Sequence, residues 1–433
     1  MTTQEKLREG TRSWVRRSAA VFVASLIAAA AGASSAVAQT ESLLYSFTGG
    51  SDGGNPSSGL TFDSSGNLYG TALSGGASGA GTVFKLPAGG TSVTVLYALP
   101  GTNGALPSSA PVFDSCSGKC GNILGTAEYN TAVGTGDGMV YQLTPTGTGS
   151  YTATILHSFL GTSTDGANPI GGVTIVPDGS GNFYGATYSG GASNDGTLYK
   201  LTPNGSGSYT YSPAIYSFSG GTTNGAHPAA GPTLNAAGSN LYGTTALGDG
   251  TLNTGSMFQY VLSTGVATFS GFNTVTNSGT QPVSSVILDS SGNIYGTTEV
   301  GGASSYGVVY KFTPNGLGGY TYSTLHTFTG GTTDGAYPIS GLIFDSSGNL
   351  YGTTFQGGMS GYGTAFELSP SGSSYSETIL HSFAGGLTDG AYPRAGLIFD
   401  SSGNLYGTTD QGGASGDGTI FEIMPAAALT KKH

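Results

Sequence analysis

The residues that could carry out chemistry are sparse in this 433-residue chain, and most of them recur at one position of a repeat. Three of the five histidines, His157, His326 and His381, lie in the similar segments ILHSF, TLHTF and ILHSF. At the same position other copies have Tyr45, Tyr97, Tyr216 and Ser270. Interchange of His with Tyr indicates packing or a hydrogen bond, and histidines in separate copies of one strand do not readily converge. We therefore predict no catalytic or metal-binding role for these three, and consider only His227 for a binding site.

Carboxylates offer a second kind of chemistry. Six acidic residues lie in loops that differ between copies: Glu128, Asp195, Asp249, Glu299, Asp410 and Asp417. Two of these carboxylates could flank a glycosidic bond as acid and base or nucleophile, and Glu128, Glu299 and Asp410 are our candidates. The sequence has no H-E-x-x-H, P-loop or dinucleotide-binding motif, so we predict no cofactor and no metal ion.

The remaining aspartates occupy turns. One set begins D-x-x-G-N segments: Asp63, Asp178, Asp289, Asp345 and Asp400. An Asp in this place can accept N–H bonds within its own turn; isolated Ca²⁺ sites are the alternative, although the spacing lacks the full ligand set of an EF-hand loop. A second set precedes glycine in D-G segments and is also interpreted as turn-forming: Asp52, Asp165, Asp334 and Asp389.

The elements that position these residues are copies of one unit. The segment DSSGNLYGTT begins at Asp345 and returns at Asp400. The asparagines of this motif lie 53 to 60 residues apart: Asn67, Asn122, Asn182, Asn240, Asn293, Asn349 and Asn404. Seven copies account for nearly all of the chain after residue 38, which is the pattern of a repeat architecture.

Each unit is predicted to contain four short antiparallel strands. In the sixth unit they cover 342–345, 349–354, 363–368 and 375–383, where Tyr, Phe, Ile, Leu and Thr dominate and turn-forming clusters separate them. No segment after residue 38 has a helical period of useful length. The fold class is therefore all-β, and four strands repeated seven times predict a seven-bladed β-propeller over residues 39–424.

The two ends of the chain predict how the ring closes. The last unit ends with GTIFEI and has no fourth strand, whereas LLYSF at 43–47 matches that missing strand. Pairing of LLYSF with GTIFEI would complete the last blade. An open solenoid is the alternative, and it would leave two exposed sheet edges.

The face formed by the long loops is the predicted binding face. Loops between the second and third strands, and those between blades, are long and variable, and binding residues concentrate on such loops. Every inter-blade loop has a proline at a matching place, preceded by a variable residue: Asn55, Leu106, Asn168, His227, Gln281, Tyr337 and Tyr392. Proline suits the bend into an innermost strand. The changing residues before it are candidate ligand contacts, among them Asn55, Asn168, His227, Gln281, Tyr337 and Tyr392; drift at exposed positions is the alternative.

The N-terminal segment predicts export. Lys6, Arg8, Arg12, Arg16 and Arg17 precede an apolar stretch at 19–31, and Ala36-Val37-Ala38 is a signal-peptidase pattern. Residues 1–38 are therefore interpreted as a signal peptide with no transmembrane segment, and residues 425–433 as a short tail. We expect a secreted, cell-surface or periplasmic protein.

The charge and the cysteines narrow the partners. The chain has 12 Lys and Arg against 23 Asp and Glu, and 1–38 contain five of those basic residues and two of the acidic ones. The remainder is strongly acidic, which argues against nucleic acid or an anionic membrane. Cys116 and Cys120 are predicted to form a disulfide across one lengthened turn, a metal site being the alternative.

The repeat resembles a known family. The pattern G-L-x-x-D-x-x-G-N-L-Y-G-T-T, followed by G-T-x-F-x-L, L-H-S-F and D-G-A-x-P, is similar to the choice-of-anchor tandem-repeat GloVer family over residues 41 to 424. The resemblance implies an exported tandem-repeat protein and no established activity.

From these observations we predict a noncatalytic binding module. Its partner would be a glycan, a cell-envelope component or a protein bound at the long-loop face, and we expect a monomer. The alternative is a hydrolase or lyase that acts on polysaccharide. A purely structural module is a third reading, since the last three blades are nearly identical.

Overall fold

The structure is a ring of seven four-stranded antiparallel sheets. The computed structural model describes residues 40–424 except 102–103, 115–120, 131–135, 148, 170–175, 178–179, 222–223, 249–252, 273–275 and 373. None of the described residues is helical. Six sheets have their strands hydrogen-bonded in chain order, first to fourth, and in the seventh the N-terminal strand of the chain takes the fourth place. The predicted seven-bladed β-propeller is confirmed.

The first strand of each blade is the innermost and is only two residues long. The innermost strands are Thr61–Phe62, Val112–Phe113, Val176–Pro177, Thr233–Leu234, Ile287–Leu288, Ile343–Phe344 and Ile398–Phe399. The second strands are Leu68–Ala72, Ile123–Tyr129, Phe183–Thr187, Asn240–Thr245, Ile294–Thr298, Leu350–Thr354 and Leu405–Thr409. Blade 2 has an additional strand, Ala105–Pro107, which pairs with the end of its second strand.

The third and fourth strands form longer hairpins at the outside of the ring. The third strands are Thr82–Leu86, Met139–Pro145, Thr197–Pro203, Ser256–Val261, Val308–Pro314, Thr364–Ser371 and Thr419–Met424. The fourth strands are Thr94–Ala98, Tyr151–Ser158, Tyr209–Ser217, Val266–Gly271, Tyr320–Thr327, Ser374–Ser382 and, in blade 7, Thr40–Ser46. The sequence analysis placed a four-residue innermost strand at 342–345, whereas only Ile343–Phe344 are paired, because Asp345 already belongs to the turn that follows.

The ring closes through the N-terminal strand, as predicted. Thr40–Ser46 pairs antiparallel with Thr419–Met424, with Leu43 opposite Phe421 and a bulge between Leu43 and Tyr45. Beyond the strand, the Phe47 N–H donates to the Gly418 carbonyl at 2.9 Å. The pairing satisfies the backbone groups that an unfilled seventh blade would expose.

The D-x-x-G-N motif builds the hairpin between the first and second strands. Asp63 accepts the N–H groups of Ser65 and Asn67 through Oδ1, both at 2.9 Å, and the Asn67 side-chain amide and the Tyr69 hydroxyl through Oδ2. The same bonds recur at Asp289, Asp345 and Asp400. Hydrogen bonds therefore occupy these carboxylates, which confirms the turn-forming role.

The hydrophobic core lies between neighbouring blades. In the described residues it consists of seven clusters, one at each blade junction. At the junction that closes the ring, Phe47 and Ile420 of blade 7 pack with Phe84 of blade 1. Gly352 shows why the motif has glycine before its threonines, since a Cβ there would lie 2.8 Å from Cζ of Phe366.

Some predictions fall on residues outside the described ranges. They are the signal peptide at 1–38, the Cys116–Cys120 disulfide, the turn role of Asp178, the loop acid Asp249 and the tail at 425–433. Across the described part of the chain, no helix has the length and apolar character to cross a membrane.

Candidate functional site

The long-loop face is organised by seven residues in the left-handed backbone region. Each is the residue before an inter-blade proline, and their φ angles lie between 53° and 59°: Asn55, Leu106, Asn168, His227, Gln281, Tyr337 and Tyr392. This conformation is uncommon for residues other than glycine. A following proline disfavours the right-handed helical region and favours extended backbone for the residue before it. A strained geometry repeated in all seven blades requires tertiary contacts that hold it in place.

Those contacts are two backbone hydrogen bonds that join adjacent blades. The Tyr392 N–H donates to the Tyr362 carbonyl of blade 6 at 2.8 Å, and the Tyr392 carbonyl accepts the Asp410 N–H of blade 7 at 3.1 Å. The ring of Pro393 packs against blade 6, where a Cβ on Gly363 would lie 2.7 Å from the proline Cδ. The arrangement fixes the residue that follows each second strand, such as Asp410, beside the axis of the ring.

The long-loop face encloses an axial cavity of about 760 Å³. Its size lies in the range of about 300–1,000 Å³ that is typical of small-molecule sites. Described residues of every blade contribute to the wall. Four predicted site residues line it together: Glu128 of blade 2, Gln281 and Glu299 of blade 5, and Asp410 of blade 7.

The three carboxylates in the cavity are partly desolvated. Burial raises the pKa of Glu128, against a smaller opposing effect of a hydrogen bond from Tyr129. Burial also raises the pKa of Glu299 and of Asp410, and in both the positive charge of Arg394 partly offsets it. A buried carboxylate interacts strongly with a ligand that donates hydrogen bonds or carries positive charge, because water screens it poorly.

Arg394 is the cation of the site. Its guanidinium lies 4.5 Å from the ring centroid of Phe355, and its Nε is 3.5 Å from Asp410 Oδ2. The Arg394 side chain is 42% exposed and is part of the cavity wall. The site thus combines three acceptor groups with one stacked, multidentate donor.

The other predicted site residues support the rim of the cavity. Asn55 donates through Nδ2 to the Asp410 carbonyl at 3.0 Å, and Asn168 accepts the Ser189 hydroxyl at 2.8 Å. Tyr337 packs edge-on against Tyr306, and Tyr392 packs against Phe355 and Tyr362. None of these four contributes to the cavity wall as described.

His227 also belongs to the rim. Its ring stacks on Tyr188 with centroids 4.6 Å apart, and Nδ1 lies 2.9 Å from the Tyr188 carbonyl. Tyr188 lines the cavity, so His227 acts on the site by holding that ring. Its Nε2 is 3.8 Å from Asp195, a residue outside the cavity, as is Asp417; Asp249 lies outside the described ranges.

Arg394 and Tyr188 escaped the sequence analysis. Arg394 is the only arginine after residue 17 and directly follows an inter-blade proline, where other blades have small or aliphatic residues. That unusual charge at a repeated position is a readable signal. Tyr188 gives no such signal, since tyrosine is common throughout the repeat.

Sets of side chains that could hold a metal ion occur elsewhere in the described structure. They are Glu41 with His381 and Asp389, and His326 with Asp334 and Glu377, at the outer edges of blade junctions. The histidines of the outermost strands contact the aspartates of the D-G turns. His381 Nε2, for example, lies 3.1 Å from Asp389 Oδ2, in line with the hydrogen bond that the sequence analysis considered for this position.

Solved structures share the fold at low sequence identity. A Bacteroides uniformis protein, provisionally named as a 6-phosphogluconolactonase, is 17% identical, with a TM-score of 0.51 over 81% of this chain and 88% of that one. The extracellular domain of a hybrid two-component system from B. thetaiotaomicron, also provisionally named, is 13% identical, with a TM-score of 0.51 over 87% of this chain and 41% of that one. At such identities the likeness concerns the fold alone.

Sequence comparison identifies the family. No curated protein matches the chain. The model of the Gloeobacter/Verrucomicrobia repeat matches residues 111–343 and 316–433, which together cover most of the seven blades. The chain therefore belongs to the Gloeobacter/Verrucomicrobia repeat family.

Proposed function

We propose that this chain is a binding module that takes a hydroxyl-rich ligand, a glycan of the cell envelope or its surroundings, into the axial cavity. The observation that carries this proposal is the convergence of Glu128, Glu299, Asp410 and Arg394 on one cavity of about 760 Å³. These residues come from blades that are distant in the sequence, and the rest of the wall is mostly small and aliphatic.

The chemistry of the wall favours hydroxyl groups. Three carboxylates offer acceptors to hydroxyl donors, and Arg394 offers donors to hydroxyl or carbonyl oxygens. Tyr188 provides a ring face, held in place by its stacking on His227. An anionic ligand is disfavoured, since the cavity wall carries three carboxylates and one guanidinium.

The proposal also includes that the protein is exported and monomeric. Export of a monomer agrees with the N-terminal basic and apolar segments and with the absence of an unpaired strand at the ring closure. Light scattering on residues 39–433 and fractionation of cells that express the full chain test these two points.

Binding is tested with a glycan and envelope-extract screen on residues 39–433, followed by calorimetry of each hit. Glu299→Gln, Asp410→Asn and Arg394→Gln should each weaken binding about tenfold or more, which corresponds to about 1.4 kcal/mol. Glu367→Gln is the matched control, because the Glu367 carboxylate accepts the Ser369 hydroxyl and is not part of the cavity wall.

Two results would contradict the proposal. One is a folded protein that binds nothing in either screen, and the other is binding that all three cavity substitutions leave unchanged. Release of reducing ends or unsaturated products from a polysaccharide panel, abolished by Glu128→Gln, Glu299→Gln or Asp410→Asn, would instead establish a hydrolase or lyase.

A further inference from the structure

Two blade junctions contain a histidine and two carboxylates in closely similar positions. At the junction of blades 5 and 6 these are His326 on an outermost strand, Asp334 in the following D-G turn and Glu377 on the next outermost strand. At the junction of blades 6 and 7 the corresponding residues are His381, Asp389 and Glu41. Within each set the ligand atoms lie within 4.8 Å of one another.

The set at the junction of blades 5 and 6 has polar atoms without hydrogen bonds. His326 Nε2 is 3.6 Å from Asp334 Oδ1 and 3.6 Å from Glu377 Oε2, beyond hydrogen-bond distance in both cases. His326 Nε2 and Glu377 Oε1 are buried and have no hydrogen-bond partner, and the same holds for Glu41 Oε1 in the second set. Such atoms are costly unless another group satisfies them.

The corresponding set at the junction of blades 2 and 3 has one carboxylate instead of two. There Tyr211 occupies the place of Glu377, stacks on His157 with centroids 3.5 Å apart, and donates to Asp165 at 2.7 Å. His157 Nε2 lies 3.0 Å from the same carboxylate. One carboxylate with two partners is satisfied, so this junction requires no additional ligand.

At the junctions of blades 5 and 6 and of blades 6 and 7, two neighbouring carboxylates need a group that neutralises their negative charge. A proton shared between the two carboxylates is one solution. A divalent cation is the other solution. At the junction of blades 5 and 6 it would also engage His326 Nε2, which has no hydrogen-bond partner, whereas at the junction of blades 6 and 7 His381 Nε2 already lies 3.1 Å from Asp389 Oδ2.

Against the expectation from the sequence that His326 and His381 have no metal-binding role, we propose that each of these two sets binds one divalent transition-metal ion, with Zn²⁺ as its representative, through the histidine Nε2 and the two carboxylates. Zn²⁺ bound at about 2.0–2.2 Å to imidazole and carboxylate places neighbouring ligand atoms about 3.4 Å apart in a tetrahedron. The two separations of 3.6 Å around His326 match this spacing closely. One imidazole and two carboxylates suit Zn²⁺ better than the oxygen-only coordination of Ca²⁺ or Mg²⁺.

The second site has a structural consequence. Glu41 lies on Thr40–Ser46, the strand that closes the ring, whereas His381 belongs to the neighbouring blade. A metal ion held by both would tie the closing strand to blade 6 in addition to its pairing with Thr419–Met424. Metal binding should therefore stabilise the closed ring.

The test is calorimetric titration of chelator-treated residues 39–433 with ZnCl₂. We expect two equivalents for the unaltered chain and one for His326→Ala or for His381→Ala. His157→Ala, at the junction that has Tyr211, should still bind two. Glu377→Gln and Glu41→Gln keep the side-chain volume and, checked for folding by circular dichroism, should each lose the ion at one junction.

The melting temperature distinguishes a bound metal ion from a shared proton. Zn²⁺ should raise the melting temperature of the unaltered chain, and Glu41→Gln should remove part of that increase. If Zn²⁺ does not bind at micromolar concentration, or if the stoichiometry is unchanged in His326→Ala and His381→Ala, the sets are neutralised by a shared proton and the proposal is wrong. Glycan binding in the axial cavity is not part of this readout.

Discussion

Leu43 lies directly opposite Phe421, so that the two ends of the described chain are neighbours in one antiparallel sheet. The pairing places Thr40–Ser46 beside Thr419–Met424, the third strand of blade 7, and so completes that blade. Phe47, which follows that strand, is fully buried against Phe84 of blade 1. Closure therefore joins the blade 7 sheet and the core of the blade 7–blade 1 junction through one short segment.

Deletion of residues 41–50 should lower the melting temperature and promote self-association. The deletion exposes the edge of Thr419–Met424 and removes Phe47 from the core, and the loss of a buried Phe side chain alone costs about 3–5 kcal/mol. Differential scanning calorimetry and light scattering measure the two effects. Deletion of residues 426–433 is the control and should change neither; an unchanged melting temperature after the first deletion would contradict the role of the closing strand.

Substitutions at Gln281 should reveal the strain of the left-handed position. Its φ is 56° and its side chain is exposed, so packing contributes little to the outcome. Gln281→Val should destabilise the fold by about 1–2 kcal/mol because a β-branched residue resists this conformation. Gln281→Gly should be neutral or stabilising. Denaturant unfolding measures both.

At a strand position without positive φ, substitution by glycine should lower the stability of the fold. Val266 is 53% exposed on an outermost strand, and Val266→Gly should destabilise the fold. If glycine had the same effect at Gln281 as at Val266, the left-handed positions would not be a source of strain.

The turn aspartates should make stability depend on pH in the acid range. Burial raises the pKa of Asp63 and of Asp289, but hydrogen bonds from the neighbouring Asn side chain and N–H groups outweigh it, so both pKa values lie below the ordinary 3.8. A carboxylate with a lowered folded-state pKa stabilises the fold above its unfolded-state pKa. That stabilisation is lost as the pH falls through the lower folded-state pKa.

The double variant Asp63→Asn, Asp289→Asn tests this dependence. At neutral pH it should be less stable than the unaltered chain by about 1 kcal/mol per turn, the ordinary net value of a hydrogen bond. The two proteins should approach one another below pH 3.8. Blade 4 shows that the turn tolerates a neutral side chain, since Asn235 accepts the N–H groups of Ser239 and Asn240 there. A constant difference in stability from pH 7 to pH 2 would refute the assignment.

Arg394→Gln should raise the pKa of Glu299 and Asp410 further. In both groups burial raises the pKa and the Arg394 charge opposes it, so loss of the guanidinium leaves burial uncompensated. Carboxyl ¹³C NMR titration measures the two values. Glu128 provides the internal control, because burial raises its pKa without an Arg394 contribution. Equal shifts of all three would indicate a general rearrangement of the cavity.

Much of the architecture was readable because its causes are local. The Asp63 turn is built from hydrogen bonds within seven residues, and such turns recur at a regular period that predicts the number of blades. The missing fourth strand of the last unit and the surplus strand at 43–47 predicted the closure, since unpaired strand edges must find partners. The candidates Glu128, Glu299 and Asp410 were identified as departures from the repeat.

What only the tertiary structure decided depends on how the blades are packed around the axis. Whether Glu128, Glu299 and Asp410 share one cavity, and whether Arg394 reaches Asp410, is set by the ring that seven inter-blade cores define. The left-handed φ of Gln281 is likewise imposed by hydrogen bonds to two blades, against the local preference of a residue before proline. Glu41 and His381 meet at the junction of blades 6 and 7 although they lie near opposite ends of the chain, because the N-terminal strand completes blade 7.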